Sequence, residues 1–301
     1  MSPQSLSGVG MRQPPGTVSR ILWHFTGGPR WNSAIGRQEA RPKPSDEAYK
    51  ALLSILRSEE LRLGGYREVV KVQLPKLRKY SSQTRRVEER KNVTVTMYSS
   101  PVCCLSDIPI AHLSYHAKRY GKIAIGFHRE AAVRHGFNPV FYTLQNTQVI
   151  RSIRRVFVRL ENLGSNRVDD VADQIESAIQ DLEELECDHD SSVEQYLGVC
   201  VDDLRDEASE IEEAVSRAQK RLEGFLAFVK TFDRKEFSSI YCEREWRSTK
   251  PFYFEVGDIA MVVLPRTGRG HSYFNDFVRS ARTLKLPPTI PAVPWEDLIE
   301  H

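Results

Sequence analysis

Two motifs at opposite ends of the chain combine polar groups with aromatics: Leu22-Trp23-His24-Phe25-Thr26-Gly27-Gly28 near the start and Tyr241-Cys242-Glu243-Arg244-Glu245-Trp246-Arg247 near the end. Both read as strands. Successive side chains of an extended backbone alternate between faces, so Glu243, Glu245 and Arg247 are expected on one side and Cys242, Arg244 and Trp246 on the other. Two carboxylates that close need either a chemical task or a cation between them. Arg247 is a candidate cation, so a catalytic pair and a buried salt-bridge network are equally good readings of the same residues. His24 alone is best read as a satisfied core histidine, and its combination with the other residues is what gives it interest.

The elements that must position these groups follow from pattern and punctuation. Ile21 to Thr26 is a predicted strand. Ser45-Asp46-Glu47 after Pro42 and Pro44 marks a helix start, with the helix running to about Glu60 ahead of Gly64-Gly65. Pro101 to Leu105 reads as a buried strand in which Cys103 and Cys104 serve as small apolar residues. Ser106-Asp107 before Pro109 reads as a helix cap. The helix from Ile108 to Tyr120 would carry His112, Tyr115, His116 and Tyr120, and Lys122 to Phe127 the next strand. Val140 to Tyr142 and Val149 to Ile153 are further expected strands. Ile240 to Trp246 and Ala260 to Leu264 close the core, with a helix from Tyr273 to Leu284. The predicted class is therefore α+β, with a mixed sheet.

With 301 residues, 40% of them hydrophobic, the chain can bury one large core or two smaller ones. No apolar run approaches the ~20 residues that span a bilayer. Residues 1–17, rich in Ser, Gly, Pro and Gln, are expected to form a disordered tail. Five cysteines without a CxxC repeat fit reduced thiols and a cytoplasmic location. Cys187, Asp188, His189 and Asp190 lack the paired spacing of a structural zinc site, so no metal is assigned.

The net charge of +3 conceals an asymmetry: residues 1–90 hold 17 Lys or Arg against 8 Asp or Glu, and residues 161–220 hold 4 against 19. Lys76, Arg78, Lys79, Arg85 and Arg86 make the densest basic stretch. They form either a solvated β-hairpin tip or a track for a phosphate backbone, and so a contact for a nucleic-acid acceptor. Residues 161–232 carry an a/d spacing, from Val168 to Leu185 and again from Leu197 to Phe232, with a break near Cys187. The expectation is an antiparallel, acidic, coiled-coil hairpin inserted between two parts of the core, 18–160 and 233–301. Its seam suits packing within the chain, self-association or a protein partner.

Taken in order, His24-Phe25-Thr26, Cys104-Leu105-Ser106-Asp107-Ile108-Pro109, Tyr120-Gly121 to Gly126-Phe127, Pro139 to Tyr142 and Glu243-Arg244-Glu245-Trp246-Arg247 resemble the AbiGi-like family of abortive-infection, phage-defence proteins of bacteria. The resemblance covers about residues 20–145 and 235–265. The closing Glu-x-Glu-Trp-Arg pattern is also similar to domains related to the ADP-ribosyltransferase fold. That relation implies NAD as cofactor. Glu245 would then stabilise the cation-like ribose of the transition state and Glu243 would orient the acceptor, either nucleic acid or protein. It places His24 and Thr26 at the nicotinamide ribose, Tyr115 or Tyr120 on the nicotinamide ring, and Arg247 on a phosphate or against Glu245. Two functions follow from the resemblance: a toxin that transfers ADP-ribose, or a non-catalytic antitoxin that binds a partner through its acidic hairpin. The first requires His24 and Glu245 to line one cleft.

Overall fold

The computed structural model describes residues 19–32, 37–39, 41–81, 84, 86–145, 147–163, 191–232, 243–266, 272–281 and 290–299. In chain order the first elements are β1 (Ile21–Phe25), β2 (Trp31–Asn32), β3 (Arg37–Gln38), α1 (Ser45–Ser58), β4 (Glu60–Leu61), β5 (Val69–Ser81), β6 (Arg86–Tyr98) and β7 (Cys103–Ser106). Next come α2 (Leu113–Tyr120), β8 (Ala124–His128), α3 (Arg129–Arg134), β9 (Asn138–Pro139), β10 (Phe141–Leu144), α4 (Gln148–Leu163) and α5 (Ser191–Leu226). Last are β11 (Val229–Phe232), β12 (Glu245–Ser248), β13 (Phe252–Tyr253), β14 (Ile259–Leu264), α6 (Tyr273–Ala281), β15 (Ala292–Pro294) and α7 (Trp295–Ile299). The chain divides into two compact units: residues 1–66, 101–141 and 234–301 form the first, and residues 67–100 and 142–233 the second.

In the first unit a seven-stranded sheet runs in the order β15-β14-β8-β1-β7-β12-β9. It is mixed, because β14 and β15 are parallel whereas β8, β1, β7 and β12 pair antiparallel. Alternation along β1 supplies both of its cores. Leu22 faces a cluster with Ile125, Phe127, Leu105 and the α1 residues Leu52 and Leu56, and Trp23 faces another with Ala124, Leu113, Val263 and Trp295. On α1 the buried residues Ala48, Leu52 and Leu56 fall four apart on one stripe, and the helix stops at Glu59 in the left-handed region. The helix predicted from Ser45 is thus present, but Ser106-Asp107 is no cap. The turn after it is a short 3-10 helix preceded by Pro109, without a side-chain cap, and the Asp107 carboxylate binds arginines instead.

The second unit is built on a long two-stranded ribbon, β5 with β6, in register from Val69↔Tyr98 to Ser81↔Arg86. Val70 and Met97 on the ribbon, Ile150 and Ile153 on α4, Leu226 at the end of α5 and Val229 on β11 form its core. Two expectations are corrected here. Val149 to Ile153 is helix, not strand: Ile150, Ile153 and Phe157 recur at i, i+3 and i+7 and pack into that core. The heptad count carried a helix through Phe232, but α5 ends at Leu226 and residues 229–232 pair with β10, a non-local partner that local spacing cannot reveal. The first arm of the expected hairpin, residues 168–185, its turn near Cys187, residues 1–17 and Arg85 lie outside the described residues.

Candidate functional site

Register decides which side chains meet. On β7, Ser106 pairs with Trp23 of β1 on one side and with Glu245 of β12 on the other, so Trp23, Ser106 and Glu245 share one face of the sheet. Cys104 pairs with Arg247 two residues along and shares that face. His24 lies between Trp23 and Phe25 in a strand that pairs without interruption to β8, opposite Ile125, and therefore projects from the other face. His24 and Glu245 are also separated by the whole of β7. The single cleft expected for them does not form, and these residues do not fit one NAD-binding pocket.

Each group has a local task that explains its placement. Arg247 has no exposed surface, and its Nη2 donates to Glu245 Oε2 at 2.9 Å while its guanidinium lies 5.5 Å from the ring centre of Tyr66. The salt bridge that one of the two readings of these residues calls for is thus present. Burial, with the Glu245 carboxylate alongside, holds the Cys104 thiol well above its ordinary 9.0, and burial pushes Cys103 up to about 12. His24 Nδ1 lies 3.2 Å from the Cys104 carbonyl oxygen, so that nitrogen carries the proton. Burial lowers the His24 pKa, the Cys104 hydrogen bond opposes this, and the Lys43 charge lowers it further. Thr26 is buried, with backbone N–H and hydroxyl both directed to the Ile123 carbonyl.

Glu243 departs from the expected strand. It precedes β12, and Arg244 between the glutamates has a φ of 41°, so the alternation assumed for residues 243–247 begins only at Glu245. Glu243 is nevertheless buried, accepting from Tyr120 Oη at 3.0 Å and from Arg119 Nη1 at 3.1 Å. The Tyr120 ring stacks on His116 at 4.8 Å, and Phe25 leans on both. Tyr120 and Glu243 are thus brought together, and so are Arg247 and Glu245, whereas Tyr115 is 53% exposed.

Sequence reasoning missed Arg119 and the carboxylate hub at Asp107, which accepts from Arg129 at 3.2 Å and Arg244 at 3.0 Å. The signal for Arg119 lay in the helical spacing that puts 116, 119 and 120 on one side of α2. Among the described residues no group of three or more His, Cys, Asp or Glu could hold a metal ion, and no helix is long and apolar enough to cross a membrane. Of the basic candidates Lys76 and Arg86 are exposed on the ribbon, Lys76 pairing with Glu89 at 3.0 Å, and Arg78 and Lys79 lie on β5 opposite Glu89 and Glu88.

Residues 68–269 match the family model described as "Putative abortive phage resistance protein AbiGi, antitoxin". The chain belongs to the AbiGi family. The AbiGi match runs through residues 161–232, which were expected outside the resemblance, and it begins beyond His24 and Thr26. A stretch of 70 residues is 30% identical to the abortive phage resistance protein AbiGi of Lactococcus lactis subsp. cremoris. That stretch is 22% of this chain and spans only 28% of its AbiGi relative. No solved structure matches the chain.

Proposed function

We propose that this chain serves in abortive infection against phage as an antitoxin, neutralising a toxin protein by direct contact, with the carboxylates of Glu243 and Glu245 acting as structural anchors. The observation that carries this reading is the placement of Glu245, closed onto the fully buried Arg247 on the face of the sheet opposite His24. Membership of a family described as antitoxin supports it. The long acidic helix α5 supplies a charged surface of the kind that selects a partner by charge complementarity.

The second reading is NAD-dependent ADP-ribosyl transfer to nucleic acid or protein. In its favour, Glu243 and the Phe25–His116–Tyr120 rings adjoin one another through the Tyr120 hydroxyl. It needs a ribose contact from a residue other than His24.

The test is expression of the wild-type chain and of Glu245→Gln, each alone and with the proteins encoded beside it, followed by growth, phage challenge and transfer of labelled ADP-ribose from NAD. An antitoxin is harmless alone, rescues growth arrested by a neighbouring protein, and does so in both forms without label. Label transferred by the wild type and lost in Glu245→Gln would overturn the antitoxin reading in favour of the transferase.

A further inference from the structure

Within the second unit, two elements of different sequence origin carry like charges arranged against their own stability. On α4, Arg151, Arg155 and Arg159 are exposed at i, i+4 and i+8, so they form one stripe along the helix, about 6 Å apart along its axis. Like charges at that spacing repel and weaken a helix. On the ribbon, Lys76 of β5 stands directly opposite Lys91 of β6, both exposed, a like-charge pair that the Lys76–Glu89 ion pair at 3.0 Å offsets on one side only.

These two elements are neighbours. Arg154 of α4 donates to the Gln73 carbonyl of β5 at 3.3 Å, and Ile150 and Ile153 of α4 pack with Val70 of β5. By sequence these adjoining elements are rich in cations: α4 holds four arginines against one glutamate, β5 four Lys or Arg and no acidic residue, and β6 Arg86, Arg90 and Lys91 against Glu88 and Glu89. Exposed Lys71, Arg86 and Arg90, the last 3.7 Å from Glu88, alternate onto the other side of the ribbon, so cations flank it on both sides.

We infer that this face of the second unit, the arginine stripe of α4 together with the β5–β6 ribbon, binds the phosphate backbone of double-stranded DNA without sequence preference. A polyanion turns the repulsion within the arginine stripe and the ribbon's excess of cations into binding energy, because each cation that meets a phosphate releases condensed counterions. The ribbon selects the duplex. Its strands are each 13 residues, about 40 Å long, and a two-stranded ribbon enters the wide major groove of B-form DNA but not the deep, narrow one of A-form RNA. The inference stands apart from the antitoxin reading, since it uses neither Glu245 nor a protein partner.

Fluorescence anisotropy of the full chain with a labelled DNA duplex of arbitrary sequence, titrated at several salt concentrations, tests it. The wild type binds, and log K falls linearly with log salt at a slope of about −0.9 for each phosphate neutralised. The Arg151→Gln, Arg155→Gln, Arg159→Gln variant binds at least about tenfold more weakly and loses roughly three from the magnitude of the slope. Arg→Lys at the same positions keeps the slope, and circular dichroism checks that each variant is folded. A salt-independent wild type, a glutamine variant with the wild-type slope, or duplex RNA or single strands bound as tightly as duplex DNA overturns the proposal. Those wild-type and competitor outcomes hold even if the triple variant fails to fold.

Discussion

Glu245 and Arg247, two residues apart on β12, form an ion pair at 2.9 Å in which the guanidinium is entirely removed from solvent. Breaking such a pair from one side leaves an uncompensated buried charge. Removing Arg247 as Arg247→Met should therefore cost about 3–5 kcal/mol. Glu245→Gln, which keeps an acceptor for Arg247, should cost less, and the double variant Glu245→Gln, Arg247→Met should recover part of the loss. All four tryptophans, Trp23, Trp31, Trp246 and Trp295, belong to the first unit, so their fluorescence in urea follows that unit alone. A cost below about 1 kcal/mol for Arg247→Met would mark the pair as solvated.

His24 gives the first unit a pH dependence of defined sign. Its pKa in the folded protein lies below the ordinary 6.5, chiefly through burial, so the unfolded chain takes up the proton first. The contribution is fully present above 6.5 and is lost as the pH falls from there towards the lower folded value. Tryptophan-monitored urea midpoints should decline over that window in the wild type. In His24→Gln, which retains a donor for the Cys104 carbonyl, the decline should flatten. Equal slopes in the two proteins would remove His24 as the titrating group.

What the sequence disclosed and what it concealed differ by the range of the interaction. Ile21–Phe25, Ser45–Ser58 and Ile259–Leu264 were legible because alternation, an acidic first turn and an apolar run are local signals. The separation of His24 from Glu245 was not, because it depends on β7 lying between β1 and β12 and on Ser106 pairing with both Trp23 and Glu245. The Glu243-Arg244-Glu245 triplet misled for a related reason. A left-handed Arg244 breaks the two-residue period, and its carbonyl accepts from the Asp107 N–H at 3.0 Å, a contact 137 residues away in sequence. Tyr120 with Glu243, and Arg247 with Glu245, came together through residue types whose pairing chemistry is visible even when their positions are not.

The two adjacent thiols on β7 should be inert. Burial keeps Cys103 protonated up to about 12, and burial together with Glu245 keeps Cys104 protonated well above 9.0, so neither offers a thiolate to an electrophile near neutrality. Iodoacetamide at pH 8 followed by peptide mapping should leave both unmodified in the native protein and modify both in urea. Rapid native labelling of Cys104 would show that the Glu245 side of the sheet opens to solvent.

Gly27 ties the first motif to the end of α2. A Cβ built there would lie 2.7 Å from the Tyr120 carbonyl oxygen, a backbone atom held in place by the helix, so Gly27→Ala has to move either β1 or the turn at Tyr120. Overpacking of this kind costs about 1–3 kcal/mol. The displacement falls on the residue whose hydroxyl donates to Glu243 at 3.0 Å, so destabilisation of the first unit should be coupled to loss of that bond. The double-mutant cycle with Tyr120→Phe measures this: if Gly27→Ala already breaks the hydroxyl contact, removing the hydroxyl should cost less in the alanine background than in the wild type. Gly257→Ala, whose Cβ would meet nothing within 4 Å, should be close to neutral in the same assay. Additive costs for Gly27→Ala and Tyr120→Phe would show that β1 yields and α2 keeps its place.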